Sequence, residues 1–163
     1  MNLTMAGLQD VIRRFNARAT ALNPSFSVRH SGAASNVTGD GTSYTIVWDT
    51  ERWDVGNNFA SNTFTAPVFG YYYFTVLVSF TGLTSGMTSG RIRILTTNLE
   101  LEDRFDPYDL MEANGLTRIN FSSLFLMNIG DTATVTLEVN SGSKVVDMQG
   151  SDVNSSFTGF LIK

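Results

Sequence analysis

Apolar and small residues recur at Met1, Met5, Leu8, Ile12, Phe15, Ala19 and Leu22, in steps that alternate between four and three. The spacing predicts a helix over residues 4–22 with a heptad seam, Met5, Ile12 and Ala19 at a and Leu8, Phe15 and Leu22 at d. Arg13, Arg14 and Arg18 lie off that seam. Asn23-Pro24 ends the helix, because a proline ring disfavours the α region for the residue before it. Such a helix is about 28 Å long. It is marginal alone in water, with Gly7 costing roughly 1 kcal/mol against Ala. Its seam therefore needs a cover. The expected cover is a partner, either in a short coiled-coil neck or in a docking groove. A helix folded back on its own domain and a segment disordered in the free protein are the alternatives.

After Pro24 the period changes to two. Residues 25–30 alternate through Phe26, Val28 and His30, and residues 44–48 through Tyr44, Ile46 and Trp48. Residues 71–80 form an aromatic and β-branched run long enough for a central strand. Residues 91–95 alternate Arg with apolar side chains. Residues 118–127 place Ile119, Phe121, Ser123 and Phe125 on one face, and residues 132–139 turn Ala133, Val135, Leu137 and Val139 inward. Residues 143–148 and 157–162 complete the set. Turns fall at Gly39-Asp40-Gly41, between Gly82 and Gly90, at Asn114-Gly115, at Gly130-Asp131 and at Ser141-Gly142-Ser143. Eight or so short strands separated by such turns predict an all-β sandwich or jelly roll.

The central run has large residues on both faces. Tyr72, Phe74, Val76 and Val78 share one, and Tyr71, Tyr73, Thr75 and Leu77 share the other. A sheet of a two-layer sandwich buries one face and leaves one for solvent. The second face therefore asks for a cover, and a trimer interface supplies it. The alternative leaves Tyr71 and Tyr73 exposed.

Composition narrows the chemistry. With 163 residues the chain makes one domain whose core needs no staple, and it has no cysteine, which removes disulfides, thiolate metal sites and cysteine nucleophiles. His30 is the one histidine, so imidazole metal cages and Ser-His-Asp chemistry have almost nothing to draw on; His30 reads as a strand residue, and no catalytic residue is expected. Gly39-Asp40-Gly41 lacks the Lys-Ser/Thr of a phosphate loop. A net charge of −4 disfavours nucleic acid as a partner, yet residues 1–24 carry +2 and residues 25–163 carry −6. A basic segment leads an acidic body. No signal-peptide pattern opens the chain and no apolar stretch is long enough to cross a membrane, so cytosolic synthesis without membrane attachment is expected. Six acids, Glu100, Glu102, Asp103, Asp106, Asp109 and Glu112, crowd one stretch without EF-hand spacing; a solvated acidic loop is expected there.

Four motifs carry a family resemblance. Residues 64–74 read Phe-Thr-Ala-Pro-Val-Phe-Gly-Tyr-Tyr-Tyr-Phe and resemble the signature of C1q-like globular domains, with its Phe at Phe64 and its Gly-x-Tyr-x-Phe at Gly70, Tyr72 and Phe74. Trp48, Asp54 and Phe59 sit at the spacing of the family's aromatic–Asp/Asn–aromatic pattern, with Trp in place of the usual Phe. Residues 126–135 resemble its strand, Gly-Asp turn and following strand through Gly130-Asp131. Residues 156–162 resemble its closing Ser-x-Phe-Ser-Gly-Phe strand through Phe157, Gly159 and Phe160. The likeness spans Phe26 to Ile162; the spacer from Phe59 to Phe64 is shorter than usual and the Gly-x-y stalk of many animal members is missing.

The resemblance implies a ten-stranded C1q/tumour-necrosis-factor-like jelly roll that forms a tight homotrimer. Phe64, Gly70, Tyr71, Tyr72, Tyr73, Phe74, Phe157, Gly159 and Phe160 would supply its core and trimer contacts. Some C1q-like trimers bind calcium near the threefold axis, which makes Asp103, Asp106 and Asp109 the alternative to a head without any cofactor. C1q-like heads also occur in tailed bacteriophages. The expected organisation is an anchor or neck over residues 1–24 (seam Met5, Leu8, Ile12, Phe15, Leu22; basic flank Arg13, Arg14, Arg18) and a head over residues 25–163. The expected function is a non-enzymatic structural protein of a virion, a capsid decoration (cement) protein or a head-fibre or fibre-tip protein, joined through residues 1–24 to a major capsid or other virion protein. The alternative is a head that binds a host receptor or glycan, stacking sugar on Trp48, Trp53 or Tyr108.

Overall fold

The longest strand, β7 (Gly70–Thr81), holds the architecture together. Its alternate side chains Tyr72, Phe74, Val76, Val78 and Phe80 are fully buried, as a period-two pattern with one face on a core requires. A computed structural model describes residues 4–21, 23–111, 115–151 and 154–162, with side chains outside 15–21. Its elements are α1 (Met5–Ala21), β1 (Ser25–Arg29), β2 (Ala34–Thr38), β3 (Tyr44–Thr45), β4 (Thr50–Val55), β5 (Phe59–Ala60), β6 (Thr63–Thr65), β7, β8 (Ser89–Thr96), β9 (Glu100–Phe105), β10 (Thr117–Met127), β11 (Thr132–Asn140), β12 (Val146–Met148) and β13 (Ser156–Ile162).

The strands form two antiparallel sheets. In the first, β7 lies between β10 on one side and β13 on the other, and β13 continues through β1 to β4; β12 pairs with the far end of β7 and carries β2. In the second, the order is β5-β6-β11-β8-β9, and β3 also pairs with β11. Among the described residues the jelly roll is divided into thirteen segments, of which β3, β5, β6 and β12 are pieces of two or three residues. Residues 44–48 illustrate this: the ladder stops after Thr45, and Ile46 N–H donates once more to Val135 at 3.0 Å.

The inward faces meet in an aromatic core. Phe26 stacks on Phe59 and Phe64, each at 4.9 Å between ring centroids, and Phe157 meets Phe26 edge-on at the same distance. Phe74 lies 5.6 Å from Phe64, 5.7 Å from Phe125 and 5.5 Å from Phe157. Gly159 makes room for this cluster: a Cβ there would stand 2.4 Å from the Phe74 ring and 2.6 Å from that of Phe26. Gly70 answers a milder demand, since its added Cβ would meet only the movable Cδ1 of Leu161.

The motif polar residues close the loops. The Asp54 carboxylate accepts from the N–H groups of Asn58 (3.0 Å) and Phe59 (2.8 Å) and so shapes the β4–β5 turn. Asp131 accepts from Asn128 N–H at 2.7 Å and Asn98 Nδ2 at 2.8 Å, beside Gly130 at φ 88°. Only a residue tolerant of positive φ fits that turn.

Five of the described strands fall outside the expected set: β2, β4, β9 and the β5–β6 pair. β4 and β9 are edge strands rich in charge. The stretch expected to be an acidic loop is therefore half strand, with Glu100 to Phe105 paired to β8.

Candidate functional site

Register across the first sheet shows what its outer face presents. Tyr71 stands between Leu126 of β10 and Ile162 of β13; Tyr73 between Leu124 and Phe160; Thr75 between Ser122 and Thr158. The rows extend into β1 and β4, where Ser25 lies beside Val55 and Ser27 beside Trp53. Directly opposite side chains on one face touch, as Tyr73 and Phe160 do at 5.5 Å between rings. Tyr71, Leu124, Leu126, Phe160, Ile162 and Trp53 each keep between 43% and 53% of their surface exposed. Five of these, Tyr71, Leu124, Leu126, Phe160 and Ile162, are contiguous around Tyr73 and are more than scattered surface hydrophobics, and such patches mark association sites; Trp53 stands apart on β4, beyond Ser27 and Thr158. The further rows turn more polar: Asn120 and Ser156 flank Leu77, and then comes Arg118, whose Nη2 donates to Asn154 Oδ1 at 2.8 Å.

The family-signature residues thus separate by parity. Phe64, Tyr72, Phe74, Phe157 and Gly159 belong to the interior, with the Tyr72 hydroxyl donating to the Val68 carbonyl at 2.9 Å. Tyr71, Tyr73 and Phe160 belong to the outer face, and Gly70 opens β7. Sequence reasoning named Trp53 only as a sugar-stacking residue and missed Leu124, Leu126 and Ile162 as part of this face. The signal for the two leucines was there, since residues 118–127 carry apolar side chains on both parities, but only the inward parity draws the eye.

α1 starts at Thr4, whose hydroxyl accepts from Gly7 N–H at 3.1 Å as an N-cap. Met5, Leu8 and Ile12 of the seam are exposed, as are Val11, Arg13 and Arg14, and Arg14 Nε pairs with Asp10 at 2.8 Å one turn away. Among the described residues no strand makes an extended contact with α1. The side chains of Phe15 and Arg18, and Leu22 altogether, lie outside the described residues.

The acidic stretch is divided by the pleat. Glu100 and Glu102 face outward, with Glu100 on Arg93 at 3.2 Å and Glu102 on Arg104 at 2.5 Å. Asp103 lies on the opposite parity beside Ile92, and Asp106 accepts from Tyr108 N–H at 2.9 Å within the following turn. Among the described residues no three carboxylates gather into a group that could hold a metal, and Glu112 is outside them. His30 is buried, with Nδ1 2.8 Å from the Val47 carbonyl oxygen and Asp49 Oδ2 at 3.9 Å. Trp48 is buried against Phe157 and offers no sugar-stacking surface, whereas Trp53 and Tyr108 are exposed.

The second sheet has a polar outer face tied together by ion pairs. Arg91 Nη2 donates to both Glu138 oxygens at 3.0 and 2.9 Å, while Arg93 reaches Glu138 at 3.3 Å and Thr136 at 3.1 Å. Burial by itself raises the Glu138 carboxyl; hydrogen bonds from Arg91 and Asn140, with the charges of Arg91 and Arg93, outweigh it and hold the pKa below its ordinary 4.5. A depressed carboxylate adds stability above its unfolded value and loses it as pH falls through the folded one. Glu138→Gln is therefore expected to melt below the parent at neutral pH, with the gap closing as pH falls below the ordinary carboxylate value and through the lowered folded one. A gap that stays constant with pH in thermal melts would refute the assignment.

No protein-family model matches the sequence. No curated protein matches it. Among solved structures, the chain is similar to the globular domain of zebrafish complement 1qA, with TM-score 0.56 and 17% identity over 86% of this chain and 98% of that one. It is similar also to murine APRIL, with TM-score 0.60 and 10% identity over 86% of this chain and 99% of that one. The fold is a C1q/tumour-necrosis-factor-like jelly roll, as the four motifs led us to expect.

Proposed function

We propose that the chain is one subunit of a homotrimeric, non-enzymatic structural protein of a virion: a head over residues 25–163 carried on an anchoring segment over residues 1–24. The observation that carries the reading is the apolar outer face built on Tyr71, Tyr73, Leu124, Leu126, Phe160 and Ile162, on the central strand of its sheet. An interface on that face covers what a lone sandwich leaves wet. The similarity of the fold to C1q and APRIL domains supports the trimer. The exposed helix α1, with its basic flank, supports attachment to a larger and more acidic assembly. A capsid decoration or head-fibre protein of a tailed phage has this division of labour, and the location proposed is the virion surface. The head would need no cofactor.

The second reading is a receptor- or glycan-binding head. It is favoured by Tyr108, which is exposed in the turn after β9, at the end of the sandwich opposite the one where the N-terminal segment leaves. Copy number separates the two. Quantitative labelling of purified particles is expected to find dozens of copies or more for a decoration protein and a handful for a receptor binder; absence from particles overturns the virion reading altogether.

Deleting residues 1–24 is expected to leave a folded β head of three chain masses that no longer joins its assembly, because among the described residues the hydrophobic core cluster begins at Phe26. Sedimentation of the truncated head with particles checks this. A truncated head that still binds would put the attachment on the β domain.

A further inference from the structure

We propose that α1 pairs with the α1 helices of the two other subunits in a parallel three-stranded coiled coil, a neck with Arg13 and Arg14 on its outside and Arg18 flanking its seam. The inference rests on the trimeric head proposed above.

The first ground is the seam. The steps from Met5 to Leu22 alternate strictly between three and four, a period of 3.5. A repeat held at 3.5 keeps a and d turned to a partner helix along the whole seam, with Val11 at g widening it on one side. The described seam residues Met5, Leu8 and Ile12 are all exposed in the single chain. The second ground is the place of attachment. The Pro24 carbonyl accepts from Leu161 N–H at 3.1 Å, and Ser25 stands opposite Phe160. The chain therefore leaves the head at the end of the sheet where Leu126, Tyr71 and Ile162 make the outermost apolar row. The face that joins the heads runs directly towards the seam.

The third ground is the tether. Residues 22–24 separate α1 from β1, a span of at most about 10 Å. Three heads joined through the outer face hold three such helices at an effective concentration in the millimolar range. That concentration rescues a helix that is marginal in isolation. Charge agrees: with a and d in the seam, Asp10 falls at f, Arg13 at b, Arg14 at c and Arg18 at g. The Asp10–Arg14 ion pair then lies on the outside of the bundle. The seam is consumed within the trimer, and the arginines are what remains for an acidic partner surface.

The chain has no cysteine, so single thiols can be placed without interference. The experiment compares Ile12→Cys, in the seam, with Arg13→Cys, outside it, in the full-length protein under mild oxidation. Ile12→Cys is expected to form the interchain disulfide about tenfold faster or more, as close facing thiols in a tethered bundle should. Light scattering on the same two variants reads the trimer independently. A trimer in which both sites cross-link alike, or neither does, overturns the neck alone. A monomer overturns the trimeric head and the neck with it.

Discussion

Phe74→Ala lowers the unfolding free energy of the head by about 3–5 kcal/mol. Phe74 sits inward on β7 with no exposed surface, and its ring meets Phe26, Phe64, Tyr72, Phe125 and Phe157. Those neighbours come from both sheets. Aromatic rings anchored on several strands cannot slump into the space a phenyl ring vacates, so the cavity term adds to the lost transfer energy. Gly159 sharpens the case, since the chain leaves out a side chain there to admit this ring. Guanidinium unfolding at one protein concentration measures the effect, because subunit association shifts apparent stability by mass action. Thr75→Ala, next along the strand and facing outward, serves as the reference. A loss for Phe74→Ala below about 1 kcal/mol, the range of an ordinary substitution, would mean that the core is not packed as described.

Tyr73→Asp is expected to convert the proposed trimer to folded monomers. Tyr73 lies on the outer face between Leu124 and Phe160, so the substitution leaves the sandwich core untouched. In the assembled trimer the carboxylate would be buried without a partner. That costs several kcal/mol, and each subunit repeats the cost. Light scattering should fall from about three chain masses to the single-chain 17.9 kDa, while circular dichroism keeps its β signature. Tyr73→Phe, which retains the ring, should remain trimeric. If Tyr73→Asp keeps the full trimer mass, the association face lies elsewhere; if it unfolds, Tyr73 belongs to the core after all.

Local patterns are legible in the chain itself. The a/d steps of residues 5–22 locate α1 almost to its ends, and the alternation of residues 118–127 and 132–139 identifies β10 and β11 together with their inward faces. Period and turn chemistry are properties of neighbours in sequence, so they hold whatever the strand order. The edge strands are not legible. β4 reads Thr-Glu-Arg-Trp-Asp-Val and β9 Glu-Leu-Glu-Asp-Arg-Phe. Both sit at the margin of a sheet, where charge is tolerated and even protective, so their sequence resembles a loop. They are strands because β1 and β8 offer them a ladder. The same pleat sends Glu102 and Asp103 to opposite faces and disperses a cluster that looks continuous in one dimension. Composition likewise cannot tell Trp48 from Trp53, one buried under Phe157 and the other exposed at the sheet margin. The candidate interface depends most on the tertiary structure. Tyr73, Leu124 and Phe160 are remote along the chain and become one row only through the pairing of β7 with β10 and β13. Strand order is a non-local property, settled by how all the apolar faces can be buried together, and so it decides which outward side chains end up side by side.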